Sequence, residues 1–215
     1  MTYSVKELFY TLQGEGAKTG RAAVFCRFSG CNLWSGLEKD RQKTVCPFCD
    51  TDFVGTDGEG GGKFKTTGQL CDAIISAWPA NTDAKELVVP YVVFTGGEPL
   101  LQLDTELIEQ LHEAGFEVGV ESNGTIAAPE GIDWLCVSPK RLDDLKQRTG
   151  QELKLLYPLP DLPPEKFESL EFEHFFLQAV DDSNAKNNLQ AVVNYCLEHP
   201  QWRISLQTHK LLGLK

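Results

Sequence analysis

The sequence predicts an α/β fold, a shortened and open barrel of parallel strands with helices outside. Two observations predict it. Short β-rich runs alternate with amphipathic stretches along the chain, and its 215 residues fall short of the roughly 250 that a closed eight-fold barrel needs. No linker, repeat or low-complexity tract divides the chain, so residues 1–215 are expected to form a single domain. The prediction is a partial TIM-like barrel, and a doubly wound open sheet is the competing topology.

The elements follow from the hydrophobic pattern. Apolar or β-branched runs predict strands, and a 3.6-residue period predicts helices. Strands are expected at 22–28, 88–94, 116–120, 134–137, 153–157, 175–178 and 204–207, and helices at 67–78, 104–114 and 184–198. Much of the N-terminal third is expected to be loop. Ligand sites in either topology lie at the carboxyl ends of the strands.

Composition and charge exclude some classes of protein. The net charge of −11 argues against unspecific binding to nucleic acid or to an anionic membrane. No stretch approaches the roughly 18 apolar residues of a membrane helix, and the N-terminus lacks the apolar region of a signal peptide. Seven cysteines in such a chain predict a reduced, cytoplasmic protein with metal-binding or buried thiols.

Three cysteines form a C-x14-C-x2-C pattern at Cys31, Cys46 and Cys49. The short spacing lets one loop direct two thiolates at one metal or cluster. Three thiolates leave one iron of a four-iron cluster open for another ligand. A zinc site completed by a distant histidine such as His174 or His209 is the alternative, and a redox C-x-x-C pair is a third. The other cysteines lie among apolar residues and are expected in the core: Cys26, Cys71, Cys136 and Cys196.

A glycine-rich turn follows a strand pattern at 92–99, where Thr95, Gly96, Gly97, Glu98 and Pro99 come after a buried apolar run. The two glycines permit close approach of a ligand, and exposed backbone groups there can bind the ammonium group of an amino acid. Glu98 could add a carboxylate, and proline suits the first turn of the next helix. A plain strand-to-helix turn would also use such residues.

The cysteines followed by Gly-Gly-Glu-Pro resemble the radical S-adenosylmethionine superfamily. Further segments, at 10–16, 27–34, 121–125, 137–140, 178–181 and 207–210, are similar to those of the 7-carboxy-7-deazaguanine synthase family and cover nearly the whole chain. The resemblance implies a lyase in queuosine and 7-deazapurine biosynthesis. It would convert 6-carboxy-5,6,7,8-tetrahydropterin to 7-carboxy-7-deazaguanine with loss of ammonia, using a [4Fe-4S] cluster, S-adenosyl-L-methionine and Mg2+.

The resemblance also implies residue roles. The cluster is expected on Cys31, Cys46 and Cys49, and the magnesium on Thr51, with Asp50 as a nearby competitor. The expected cofactor-binding residues are Gly96, Gly97, Glu98, Glu121, Ser138, Pro139, Lys140, Gln178, Ala179, Val180 and Asp181. The expected substrate-binding residues are Leu12, Gln13, Gly14, Glu15, Arg27, Thr95, His209 and Lys215. By residue type alone, Arg27 can bind a carboxylate through two parallel hydrogen bonds.

Two departures from the family pattern stand out. The superfamily's usual first cysteine gap is three residues, whereas here it is fourteen, a length that some members of the narrower family share. The last residue is Lys215, where the family commonly has a proline that contacts substrate, which puts that contact in doubt. The resemblance further implies a homodimer and an electron donor of flavodoxin or ferredoxin type. The alternatives are another small radical S-adenosylmethionine enzyme, such as an activase, and a zinc-stabilised binding module.

Overall fold

The computed structural model describes residues 2–79 and 88–215. Nine strands and four α-helices lie in these ranges, with short 3-10 helices at Gly16–Lys18, Glu38–Lys43, Pro99–Leu101 and Pro164–Lys166. In chain order they are β1 (Tyr3–Leu12), β2 (Ala22–Phe28), β3 (Gly62–Phe64), α1 (Thr67–Ala77), β4 (Tyr91–Gly96), α2 (Thr105–Glu113), β5 (Glu117–Ser122), β6 (Trp134–Val137), β7 (Thr149–Tyr157), β8 (Glu171–Ala179), α3 (Ala185–Glu198), β9 (Trp202–Ser205) and α4 (Thr208–Leu212).

The strands form one sheet in the order β3-β1-β2-β4-β5-β6-β7-β8-β9. From β2 through β4 to β9 every neighbouring pair is parallel, whereas β1 runs antiparallel to both β2 and β3. The order advances in one direction without the reversal that defines a doubly wound sheet. The open, mostly parallel α/β barrel is therefore confirmed, and the competing topology is wrong.

The two faces of the sheet differ in chemistry because side chains alternate along each strand. On β7, Leu153 and Leu155 point into the apolar core against the helices, and Glu152 and Lys154 point the other way, into the barrel. Helices α1 and α2 bury Leu70, Ile74, Leu107, Ile108 and Leu111 in the same outer core. The interior thus receives charged groups that are shielded from water.

The helix starts follow from capping chemistry. Thr66 accepts a hydrogen bond from the backbone N–H of Gln69 at the start of α1, and Asp104 accepts one from Leu107 at the start of α2. Such caps satisfy backbone donors that the first turn leaves free. The three helices predicted from periodicity are confirmed to within one residue at each end. None of the helices in the described ranges is long and apolar enough to cross a membrane.

Much of the N-terminal third is loop, as expected, but strand β1 was not predicted. β1 is a ten-residue strand, and its pairing with β2 shifts register between Val5 and Glu7. That irregularity interrupts the two-residue alternation from which a strand is recognised in a sequence. At β4 the prediction began too early, since Val88 and Val89 are half exposed and precede the strand.

The turn between β1 and β2 spans the gap between the first and last strands of the open barrel. The backbone N–H of Gly16 donates to Ser205 on β9 at 3.0 Å, and that of Ala17 donates to Glu152 on β7 at 3.0 Å. After β9, Thr208 donates through its backbone N–H and its hydroxyl to the carbonyl of Gly14. The β1–β2 turn and the segment after β9 therefore meet over the barrel interior, where the charged residues lie.

Candidate functional site

Two adjoining cavities lie at the carboxyl ends of the parallel strands. The first is lined by the three predicted cluster cysteines, by Gly96 and Gly97, and by residues that follow β6 and end β8. The second is lined by residues 12–15, Arg27, His209 and Lys215. Their common wall consists of Glu15, Asp50, Thr51, Thr95, Glu121 and Gln207. Of all the predicted site residues, only Glu98 and Pro139 line neither cavity.

The three cysteines face the first cavity as free thiols. Burial raises the pKa of Cys31, and it raises the pKa of Cys46 to about 11. The backbone N–H of Leu33 donates to the sulfur of Cys31 at 3.4 Å. Within residues 2–79 and 88–215, no three His, Cys, Asp or Glu side chains converge on a single metal ion.

A further polar atom beside the cysteines fits a cluster. The indole nitrogen of Trp34 is, in the described part of the chain, the one buried side-chain nitrogen or oxygen without a hydrogen-bond partner. Trp34 lines the first cavity together with the cysteines. Iron–sulfur clusters offer sulfur atoms that accept hydrogen bonds, and such bonds help to set their potential. A donor lacking a protein partner is consistent with such an acceptor nearby.

The fourteen-residue gap between the first two cysteines packs against the cysteine loop. It forms a short 3-10 helix at Glu38–Lys43. From it Arg41 stacks over the Trp34 ring at 4.5 Å and donates to the carbonyls of Pro47 and Cys49, each at 2.9 Å. The insertion therefore braces the segment that carries Cys46 and Cys49.

The Gly-Gly-Glu-Pro turn docks directly on the cysteine loop. A Cβ added at Gly97 would collide with the Gly30 carbonyl and with Cβ of Cys31, so only glycine permits this approach. The backbone N–H of Glu98 also donates to the Gly30 carbonyl at 3.0 Å. The turn and the first cysteine therefore touch, so both face the same end of the first cavity.

The Glu98 side chain is fully buried and bonded within the protein. Its oxygens accept hydrogen bonds from the backbone N–H of Leu100 and Asn123 and from the Ser122 hydroxyl, at 3.0, 2.7 and 2.9 Å. Its carboxylate thus joins the turn after β4 to the end of β5. Burial raises the pKa of this carboxyl above its usual range, against the effect of these bonds.

We expect Glu98→Ala to destabilise the protein by about 3 kcal/mol, because three buried donors lose their acceptor. Chemical denaturation of the metal-free protein, monitored by circular dichroism, measures the free energy of unfolding. Glu98→Gln is the matched variant. Because it keeps one acceptor oxygen and the side-chain volume, its loss of unfolding free energy should be less than half that of Glu98→Ala. Equal stability of wild type and Glu98→Ala would contradict the joining role.

A buried lysine organises the common wall of the cavities. Lys154 on β7 donates to Glu15 at 2.6 Å and to Glu121 at 2.8 Å, and its side chain is only 5% exposed. Glu15 also accepts bonds from Gln178 at 3.1 Å and Gln207 at 2.9 Å. Burial acts to raise the pKa of Glu15, but Lys154 and its other partners outweigh it and lower the pKa to about 2.

The second cavity carries a guanidinium with free donors. Arg27, near the end of β2, donates from Nε to Glu7 at 2.8 Å. For its two terminal nitrogens no hydrogen bond is found within the described residues. The opposite wall includes His209, which packs so closely on Gly14 that a Cβ there would collide with its ring. Lys215 lies at the rim, where its ammonium pairs with Glu59 at 2.7 Å.

Lys210 connects three segments around the two cavities. From α4 it pairs with Asp50 beside the cysteines at 2.7 Å and with Asp181 after β8 at 2.6 Å. The carboxylate of Asp50 is thereby engaged. The hydroxyl of Thr51, in contrast, makes no hydrogen bond to any described residue, although the residue lines both cavities.

Sequence reasoning assigned no role to Lys154, Lys210, Gln207 or Glu7. One signal pointed to Lys154: a lysine in the middle of a buried apolar strand run is rarely tolerated without partners. Lys210 and Gln207 lie in a segment quoted for its resemblance, but their partners Asp50, Asp181 and Glu15 are far away in the chain. Such pairs are visible only in the fold.

Comparison with known proteins agrees with this geometry. No family model matches the chain. A 7-carboxy-7-deazaguanine synthase of Caulobacter vibrioides is 59% identical over 214 residues, and one of Bradyrhizobium diazoefficiens is 58% identical over 215, each covering 100% of both chains. The solved structure described as "Crystal structure of QueE from Escherichia coli" matches the fold with a TM-score of 0.69 at 24% identity, over 96% of this chain and 94% of that one.

The relatives, together with an open barrel whose strand ends carry three cysteines and a glycine turn, place the chain among the radical S-adenosylmethionine enzymes. Full-length relatives above 50% identity then decide the family. The chain belongs to the 7-carboxy-7-deazaguanine synthase family. That family implies a [4Fe-4S] cluster and S-adenosyl-L-methionine as cofactors.

Proposed function

We propose that this protein converts 6-carboxy-5,6,7,8-tetrahydropterin to 7-carboxy-7-deazaguanine with release of ammonia, a step of queuosine biosynthesis. The observation that carries the proposal is the pair of adjoining cavities with one common wall. One cavity presents three thiols and a glycine turn, and the other an arginine with free donors. A radical formed in the first cavity needs a substrate held within reach in the second, and the common wall provides that proximity.

The cluster and S-adenosyl-L-methionine, when bound, would supply the radical chemistry that begins with loss of a hydrogen atom from the substrate. The chain's own residues bind and orient. We propose that Cys31, Cys46 and Cys49 hold the cluster, and that the cofactor lies along Gly96, Gly97, Ser138, Lys140 and residues 178–181. Lys140 donates to Ser138 at 2.8 Å, which keeps this segment in place, and burial lowers the pKa of Lys140.

The substrate would occupy the second cavity. Arg27 offers its terminal nitrogens to the substrate carboxylate, and His209 closes the opposite wall. The ionised Glu15 and the backbone of residues 12–14 present acceptors and donors to the pterin ring. Thr95, on the common wall, and Lys215, at the rim, are further contacts in this proposal.

Magnesium, the electron donor and the oligomer belong to the same proposal. The free hydroxyl of Thr51 and the substrate's oxygens suit the hard-ligand preference of Mg2+, while Asp50 is engaged by Lys210.

Lys39 and Lys43 are exposed on the insertion that braces the cysteine loop, and they offer basic contacts to an acidic flavodoxin-like or ferredoxin-like donor. A homodimer remains an expectation from the resemblance.

The test is an anaerobic assay with reconstituted protein, reductant, S-adenosyl-L-methionine, Mg2+ and 6-carboxytetrahydropterin, followed by mass spectrometry. We expect 7-carboxy-7-deazaguanine over many turnovers, with a lower rate when Mg2+ is left out. Methionine and 5′-deoxyadenosine without that product would reject the substrate. A colourless protein that holds one zinc ion and cleaves no cofactor would reject the whole proposal in favour of a binding module.

A further inference from the structure

Lys154 links the two cavities through a pair of carboxylates. Glu15 and Glu121 each line both cavities, and the ammonium of Lys154 lies between them, within 2.8 Å of an oxygen of each. Gln13, which lines the second cavity, donates to the other oxygen of Glu121 at 3.2 Å. A shift of either carboxylate therefore pulls on the lysine and through it on the other carboxylate.

The surroundings leave Lys154 little freedom. It lies on β7 in the barrel interior, beneath the β1–β2 turn, with a side chain that is 5% exposed. Gln178 and Gln207 hold Glu15 from the far side, at 3.1 and 2.9 Å. A lysine held by two carboxylates in a buried site defines the distance between them more closely than an exposed ion pair could.

We propose that Lys154 is a positioning residue that sets the spacing of Glu15 and Glu121 and so couples occupancy of the cofactor cavity to occupancy of the substrate cavity. The proposal rests on the proposed function, because it takes the two ligands from it. A ligand that contacts Glu121 from the first cavity shifts that carboxylate, and the closely held lysine passes the shift to Glu15. Glu15 is then already in place for the ligand of the second cavity, so each ligand should strengthen the binding of the other.

The first test measures binding without turnover. The cluster-loaded enzyme is kept oxidised, so no radical forms, and the dissociation constant of S-adenosyl-L-methionine is measured by calorimetry with and without 6-carboxytetrahydropterin. In wild type we expect the substrate to tighten cofactor binding by about fivefold or more. Lys154→Met should reduce this factor to near one while the cluster's absorbance stays unchanged.

The matched control is Lys18→Met. This substitution also removes a positive charge near a carboxylate, because the ammonium of Lys18 lies 3.7 Å from Glu117. Lys18 stacks on Trp134 and lines neither cavity. Its coupling should equal that of wild type. A wild type without coupling, or full coupling in Lys154→Met, would overturn the proposal. A wild type that binds no pterin at all would instead reject the proposed function.

Lys154→Arg provides a second test of the same role if Lys154→Met does not fold. It keeps the charge, but its wider guanidinium must displace Glu15 or Glu121 in a buried site. We expect a folded protein with a normal cluster and a coupling factor less than about half that of wild type. Wild-type coupling in this variant would count against the positioning role.

A pH profile separates positioning from a general structural effect. The charged or titratable groups that face the bridge from its neighbours are Glu15, Glu121, Glu152, Cys136, Lys140 and His209. Without Lys154, burial of Glu15 is no longer opposed by its strongest partner, so the pKa of Glu15 rises from about 2. Activity falls as Glu15 is protonated, so the acid limb of kcat/KM should move to higher pH in Lys154→Met and stay unchanged in Lys154→Arg. A loss that is equal at every pH would mean a structural role only.

Discussion

Cys46→Ala is expected to abolish the cluster and to lower product formation by about a thousandfold or more, because the chemistry belongs to the cofactors that the thiols retain. Cys46 lines the first cavity beside Cys31 and Cys49, and three thiolates are the fewest that hold a four-iron cluster with one iron open. Iron and sulfide analysis after anaerobic reconstitution, with the visible absorbance, measures cluster content. Activity is followed by mass spectrometry of the deazaguanine product.

Cys196→Ala is the matched control for this prediction. Cys196 is a half-buried free thiol on α3, and it lines neither of the two cavities. The variant should keep full iron content and wild-type turnover. If Cys46→Ala retained its iron, Cys46 would not be a ligand, and a different set of donors would have to be sought. If Cys196→Ala also lost the cluster, the loss would reflect general damage to the fold.

The second large effect is expected at Arg27. Arg27→Met should keep the cluster and the slow cleavage of S-adenosyl-L-methionine, but kcat/KM for 6-carboxytetrahydropterin should fall by about 100- to 1,000-fold. A charge-assisted bond to the substrate carboxylate is lost from a partly buried site, where such pairs contribute most. Because Glu7 engages only Nε, the terminal nitrogens are the ones available for a carboxylate. Steady-state kinetics and the 5′-deoxyadenosine yield measure the two effects separately.

Two further arginine variants sharpen this test. Arg27→Lys keeps the charge but not the fork of donors, so its kcat/KM should lie between those of wild type and Arg27→Met. Arg21→Met removes an arginine that precedes β2, bonds Glu117 at 2.7 Å and stacks on Tyr91, away from both cavities. It should leave KM unchanged. Full activity of Arg27→Met would make the substrate assignment wrong.

The sequence by itself determined the parallel part of the fold. The strands β2 and β6 and the three long helices have the predicted bounds to within a residue, because each has a buried face whose period is visible locally. β1 was missed, since its register shift at Val5 and Glu7 breaks that period. β9 begins two residues before its prediction, because Trp202 packs on Phe175 within the core.

The residues of the candidate site were likewise predictable from the sequence only in part. Residues close together in the chain, such as Cys46, Cys49 and the Gly96–Gly97 pair, were predicted because they form short motifs that resemble those of the family; their spacing alone left a zinc site and a plain turn open. The order of the motifs along a parallel barrel also explains why nearly all predicted residues line the two cavities, since successive strand ends meet at one edge. Their individual roles remain predictions.

Only the tertiary structure decided how the cavities are joined. Glu15 and Lys154 are 139 residues apart, and Asp50 and Lys210 are 160 apart, yet each pair is within 2.7 Å. Local patterns carry no information about such pairs. Whether the two residues of a pair meet depends on how the sheet curls and brings its first turn against its last strands. The sequence thus determined which chemistry the strand ends carry, and the curvature of the sheet decided that one buried lysine stands between the two ligand sites.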